Sequence, residues 1–99
     1  MKLTGKCAED FEEWFRKEKA DKGFRWRIVL TADETIENAL IIDFFDSLKI
    51  YIFIDFINDE WYAILCGAEV SDTYFNSRLE ATNEAIKRVN NIYNEVLFT

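Results

Sequence analysis

Apolar side chains recur along this chain at two periods, one helical and one alternating. From Lys6 to Lys22, the apolar Cys7, Phe11, Trp14 and Phe15 follow helical spacing, with Glu9 and Asp10 early and Lys19 and Lys22 late. Charges placed that way complement a helix dipole. Gly23 fits the position just past the helix end, with Phe24 folding back as its apolar partner. Arg25 to Leu30 alternates, with Trp26, Ile28 and Leu30 on one side and Arg25 and Arg27 on the other, which predicts an edge strand. Thr31 and Glu34 have capping-box spacing, and Leu40, Ile41, Phe44, Phe45 and Leu48 then form one helical stripe opposite Ala39, Asp43 and Asp46. Taken alone, residues 39–45 also fit a buried strand.

Lys49 to Ile57 carries apolar side chains at both parities, as a central strand covered on both faces does, or one covered on one face by a second subunit. Asn58, Asp59 and Glu60 have turn composition, and Trp61 to Cys66 is rich in β-formers, so the pair predicts a hairpin. Ala68 to Phe75 adds a short third strand. Ser77 and Glu80 form a second capping box, and Ala85, Ile86, Val89, Ile92, Tyr93 and Val96 follow at helical spacing. The expected order is α-β-α-β-β-(β)-α: a single α+β domain over residues 1–99, three helices on a small, mostly antiparallel sheet. Its expected core anchors are Phe11, Trp14, Phe15, Trp26, Phe44, Phe53, Phe56 and Trp61.

Composition narrows the chemistry. Of 99 residues, 49% are hydrophobic and 16% aromatic, too apolar for a disordered chain despite a charged fraction of 31%. There is no His, which removes imidazole-based hydrolase dyads, the usual zinc enzymes and histidine pH switches. Cys7 and Cys66 form no C-x-x-C pair and are expected as reduced, buried thiols. Met1 to Lys6 lacks the apolar run of a secretory signal, and the apolar segment Ile50–Ile57 is short and broken by Asp55, so a cytoplasmic protein is expected.

The net charge of −7 is unevenly spread. Residues 1–30 hold 8 Lys/Arg against 6 Asp/Glu, residues 31–75 hold 1 against 10, and residues 76–99 hold 3 against 3. The acidic middle third repels phosphates, so direct nucleic-acid binding is not expected. The cluster Arg16, Lys17, Lys19, Lys22, Arg25 and Arg27 reads as the solvated end of a helix. The helix-strand order is also that of double-stranded RNA-binding domains, but Arg78-Leu79-Glu80-Ala81 stands where those domains need a lysine cluster.

Ile42-Asp43-Phe44-Phe45-Asp46-Ser47-Leu48-Lys49-Ile50, the opening Lys2–Phe11, and the C-terminal Ser77–Ala81, Ala85-Ile86 and Asn91–Asn94 resemble a group of short proteins encoded by phages of gut bacteria. In that group Val-Gly typically follows the Phe-Phe-Asp-Ser segment, where this chain has Leu48-Lys49, and the position of Thr82 is often arginine. The resemblance implies a phage accessory protein in the host cytoplasm. It brings no chemistry with it.

Candidate sites are few. Asp43, Asp46 and Asp55 have the oxygen ligands that Mg²⁺ or Ca²⁺ accepts, yet no calcium-loop or metal-nuclease pattern surrounds them, and a solvated polar face accounts for them. Asp55 is expected either to face solvent or to pair with Lys49, Arg25 or Arg27. Ser47 and Ser77 lack a base, and the lone Gly5, Gly23 and Gly67 make no phosphate loop. No catalytic residue, metal or cofactor is therefore assigned. The expected function is binding to a host or phage protein, through an acidic surface of Asp33, Glu34, Glu37, Asp43, Asp46, Asp59, Glu60, Glu69 and Asp72 and interface aromatics Tyr51, Phe53, Trp61 and Tyr62. Carboxylates in one row would mimic a nucleic acid. The alternative is a homo-oligomeric structural or virion component, suggested by the two-sided apolar strand.

Overall fold

The computed structural model describes residues 1–19, 22–23, 25–65, 68–69 and 74–97. Helix α1, Gly5–Glu18, buries Cys7, Phe11 and Phe15 on one face. It ends earlier than the predicted Lys22, because the apolar periodicity stops at Phe15 and the next turns have nothing to bury. Lys19 closes the helix, its ammonium 2.7 Å from Asp43 and 5.4 Å from the Trp14 ring centroid. Gly23 is left-handed (φ 85°), but it lies beyond this cap rather than forming it. Phe24 lies outside the described residues.

The expected first strand is instead a short helix, α2, Arg27–Thr31. Val29 is its buried residue, while Ile28 and Leu30 are exposed. Trp26 and Val29, three apart, share a helical face. The indole meets Phe11 and Phe15 edge-on, with centroids 5.6 and 5.5 Å away. With α2 occupying Thr31, the cap of the next helix moves to Asp33, whose carboxylate accepts the Ile36 N–H at 3.0 Å.

Helix α3, Glu34–Ser47, buries Asn38, Ile41, Phe44 and Phe45, and residues 39–45 are helical throughout. Leu48, predicted in the stripe, is exposed beyond the last turn. Lys49 follows in the left-handed region (φ 62°), with Ile50 N–H donating to Phe45 C=O at 2.9 Å and Lys49 N–H to Asp46 C=O at 3.0 Å. This is the Schellman closure, usually built on glycine.

Strand β1, Ile52–Ile57, pairs antiparallel with β2, Glu60–Leu65. Asn58 (φ 53°) and Asp59 (φ 63°) supply the two positive φ angles of a type I′ turn. β2 then pairs with β3, Ala68–Glu69, and Phe75 bridges to Trp61. The strand order is β1-β2-β3, so β1 is an edge strand and not the predicted central one. Residues 70–73 of the predicted third strand lie outside the described residues, as does Cys66.

Helix α4, Arg78–Ile92, starts at Ser77, whose hydroxyl accepts the Glu80 N–H at 3.1 Å. Glu80 reaches back to the N–H of Asn76, one residue before the predicted box. A π-helical segment, Tyr93–Leu97, continues the helix. α4 lies between two cores. Ala81 and Ala85 pack on Ala63, Ile52, Ile54, Trp61, Leu65 and Phe75 of the sheet side. Ile86, Val89 and Tyr93 join Leu3, α1, Val29 and α3 in the larger core, where the Phe11 ring touches Trp14, Phe15, Trp26 and Phe44. Phe53 and Phe56, predicted as core anchors, are exposed instead.

Long-range polar bonds tie the ends to the middle. Asn94 Oδ1 accepts the Cys7 N–H and Asn90 Oδ1 accepts the Thr4 N–H, both at 2.9 Å, so α4 and its extension cap the start of α1. The Lys2 ammonium donates to Glu34 (2.7 Å), Asn38 (2.7 Å) and Asn83 (2.6 Å), using all three of its N–H groups.

Candidate protein-docking surface

A sheet strand presents alternate side chains to opposite faces. On β1, Ile52 and Ile54 turn toward α4, while Phe53, Asp55 and Ile57 turn away. Tyr51 continues the second set. Cross-strand register adds Tyr62 opposite Asp55, Ile64 opposite Phe53 and Glu60 opposite Ile57. The result is an apolar face on which Tyr51, Phe53 and Ile57 are 45%, 56% and 52% exposed, with Tyr62 and Ile64 half-buried beside them. Asp55 and Glu60 interrupt it, and Glu60 accepts the Tyr62 hydroxyl at 2.5 Å. Asp55 thus faces solvent, one of its two expected fates.

Of the four predicted interface aromatics, Tyr51, Phe53 and Tyr62 share this open face. Trp61 belongs to the other one. It is half-buried there, with the Phe56 ring 4.6 Å away and the Arg78 guanidinium 5.0 Å from its centroid. Phe56 extends past the cover that α4 provides and is 54% exposed. Ile57, Ile64 and Phe56 were missed as surface residues, since an apolar residue in a strand reads as core until the covering element is known.

Of the nine predicted acidic positions, those described are divided between α3 and the hairpin with β3. Asp33 caps α3. Glu34 and Glu37, in its first turn, are bound to the Lys2 ammonium and the Lys2 backbone N–H. The hydrogen bond from Lys2, with a second from Asn83, holds the Glu34 carboxyl below its ordinary pKa. Asp43 is paired with Lys19, and Asp46 is exposed near the far end of α3. Asp59 sits in the hairpin turn, Glu60 opens β2, and Glu69 in β3 lies across from Ile64. Asp72 is outside the described residues. Carboxylates already held by lysines are poor phosphate mimics, because a mimic needs free charge in a row.

No group of three or more Asp, Glu or Cys side chains is placed to hold a metal ion among the described residues. Cys7 is a free, buried thiol whose pKa is pushed up to about 12 by burial and by Asp10. Such a thiol is a poor nucleophile at neutral pH. A groove of about 340 Å³ between α3 and α4, bounded by Ala39, Ile42, Leu79 and Thr82, is apolar and shallow, with few polar groups converging on it. Residues that sequence reasoning missed altogether are Lys2, Asn38, Asn83, Asn90 and Asn94. Their signal was four asparagines recurring beside the buried stripes of α3 and α4.

No protein-family model, curated protein or solved structure matches the chain. No helix among the described residues is long and apolar enough to cross a membrane.

Proposed function

We propose that this protein is a protein-binding module that acts through the open face of its hairpin and carries out no reaction of its own. The observation behind this is the exposure of Tyr51, Phe53 and Ile57 on a single sheet face, with α4 packed on the opposite one. Side chains of that size in one patch are what specific interfaces place at their centres, where Tyr, Trp and Phe dominate the binding energy. The resemblance to phage-encoded proteins puts the partner among host or phage proteins, met in the host cytoplasm. The nucleic-acid-mimic version has less support, since Glu34 and Asp43 are paired with lysine ammonium groups.

The test compares proteins captured from host cells by the tagged full chain with those captured by a Tyr51→Ser, Phe53→Ser double variant. A specific partner lost from the variant, then rebound as a purified protein by the wild type alone, supports the module. Partners retained equally by both overturn it.

A further inference from the structure

The hairpin has a free edge as well as an open face, and the edge geometry names an occupant. In a type I′ hairpin the residues flanking the turn, here Ile57 and Glu60, exchange both of their backbone hydrogen bonds. Hydrogen bonding alternates along the strand, so Phe53, Asp55 and Ile57 direct their N–H and C=O groups at β2. Ile52, Ile54 and Phe56 direct theirs outward. Among the described residues, none of those outward groups has a backbone partner beyond the sheet. An unblocked edge of this kind is a template for strand addition. β1 has neither the proline nor the lysine that usually protects an edge: it reads Ile-Phe-Ile-Asp-Phe-Ile.

We infer that this edge pairs with the β1 edge of a second copy, antiparallel and centred on Ile54, to form one continuous six-stranded sheet. The inference rests on the hairpin being a docking surface and goes further by naming what docks on its edge. An antiparallel twofold pairing brings outward groups face to face only in registers that match Ile52, Ile54 and Phe56 with one another. Centring on Ile54 sets Ile52 opposite Phe56 of the second copy, Ile54 opposite Ile54 and Phe53 opposite Asp55. Five residues of β1 are then paired, and no two acids face each other. Centring on Asp55 would oppose its carboxylate to itself, which is unfavourable. Centring on Phe53 would pair only three residues of the strand.

Two further features agree with the Ile54 register. Phe56 is exposed because α4 does not reach the sheet margin, and Ile52 of the second copy would cover it. Tyr51 is set beside Ile57 of the second copy, covering two more exposed apolar groups. The same register brings Lys49, the single cation among residues 31–75, level with Asp59 of the second copy. Both of these side chains are exposed in the single chain.

The experiment is sedimentation equilibrium of the full chain and two variants at one exposed position, Phe53→Glu and Phe53→Lys. Each removes the same aromatic ring, so a contact that needs only the ring weakens equally in both. In the proposed register position 53 faces Asp55 twice per dimer, and the two charges act oppositely. The wild type should sediment as twice 11.8 kDa. Phe53→Lys should remain dimeric, with Phe53→Glu weaker than it by on the order of tenfold or more. A wild type that stays monomeric at high concentration overturns self-pairing and leaves the module to be judged by its capture test. Equal weakening of the two variants, or no change in either, assigns dimerisation elsewhere and overturns it too.

Should Phe53→Glu fail to keep the wild-type circular dichroism, hydrogen exchange on the wild type decides the matter. Protection of the Ile52, Ile54 and Phe56 amides must rise with protein concentration, and rapid exchange at every concentration overturns the proposal.

Discussion

Lys49 sits at a position that suits glycine, and the cost of this is measurable. Its φ of 62° places a side-chain-bearing residue in the left-handed region, at the closing step of α3. For an L-residue with a Cβ that conformation costs about 1–2 kcal/mol. Lys49→Gly removes this strain, but glycine gains freedom in the unfolded chain, which subtracts about 0.5–1 kcal/mol. The expected net gain is about 0.5–1 kcal/mol, or roughly 2–8 °C in Tm for a domain of this size. The two Schellman hydrogen bonds, Ile50 N–H to Phe45 and Lys49 N–H to Asp46, involve only backbone and survive the change. Lys49→Ala is the control: it deletes the same ammonium while keeping the Cβ. Urea unfolding at low protein concentration, where self-association does not contribute, should show a raised midpoint for glycine, no gain for alanine, and a common slope. Equal effects of the two substitutions would mean that charge, not backbone strain, governs this position, and the reasoning would fall.

Asn94→Ala should lower stability by about 1–2 kcal/mol in the same assay, because the Cys7 N–H at the start of α1 loses its cap. An unchanged midpoint would mean that water caps the helix equally well. Alkali should destabilise the fold: above about pH 9 the unfolded Cys7 thiol ionises while the buried one keeps its proton up to about 12, and burial with the Asp10 hydrogen bond raises the Tyr93 pKa as well. The unfolded state then holds fewer protons, so stability present below pH 9 declines as pH rises. A Cys7→Ala, Tyr93→Phe double variant should show a shallower decline in chemical unfolding run across that range, and parallel curves for variant and wild type would refute the assignment.

What could be read from the chain depended on whether the deciding physics was local. α1, α3, the Asn58-Asp59 turn and α4 were legible because their apolar periodicity, the turn composition and the Ser77 cap are local, whereas the predicted Gly23 and Thr31 caps gave way to Lys19 and Asp33. The segment Arg25–Leu30 was misread because six residues fit either period, and the arbiter was distant: Trp26 docks on Phe11 and Phe15, which puts Val29 inward. β1 was misplaced for a related reason. Isoleucine and phenylalanine at both parities say that both faces are apolar, not that both are covered. So Tyr51, Phe53 and Tyr62 share one sheet face while Trp61 lies on the other, and Phe53, also counted in the core, is exposed. Charge summed along the sequence also hides pairing across elements: Lys2 and Lys19 neutralise Glu34 and Asp43 of the predicted acidic set.

The caps that Asn90 and Asn94 place on Thr4 and Cys7 bear on how the chain acquires its shape during synthesis. Helix α1 leaves the ribosome well before α4, and the groups that satisfy its leading N–H donors are made about ninety residues later. Until residue 94 has emerged, α1 has neither its polar cap nor Ile86, Val89 and Tyr93 to cover its aromatic face. Trp26 and Phe44 supply the ring contacts of Phe11, Trp14 and Phe15 earlier, so it is the polar capping of α1, by Asn90 and Asn94, that is left as a late event.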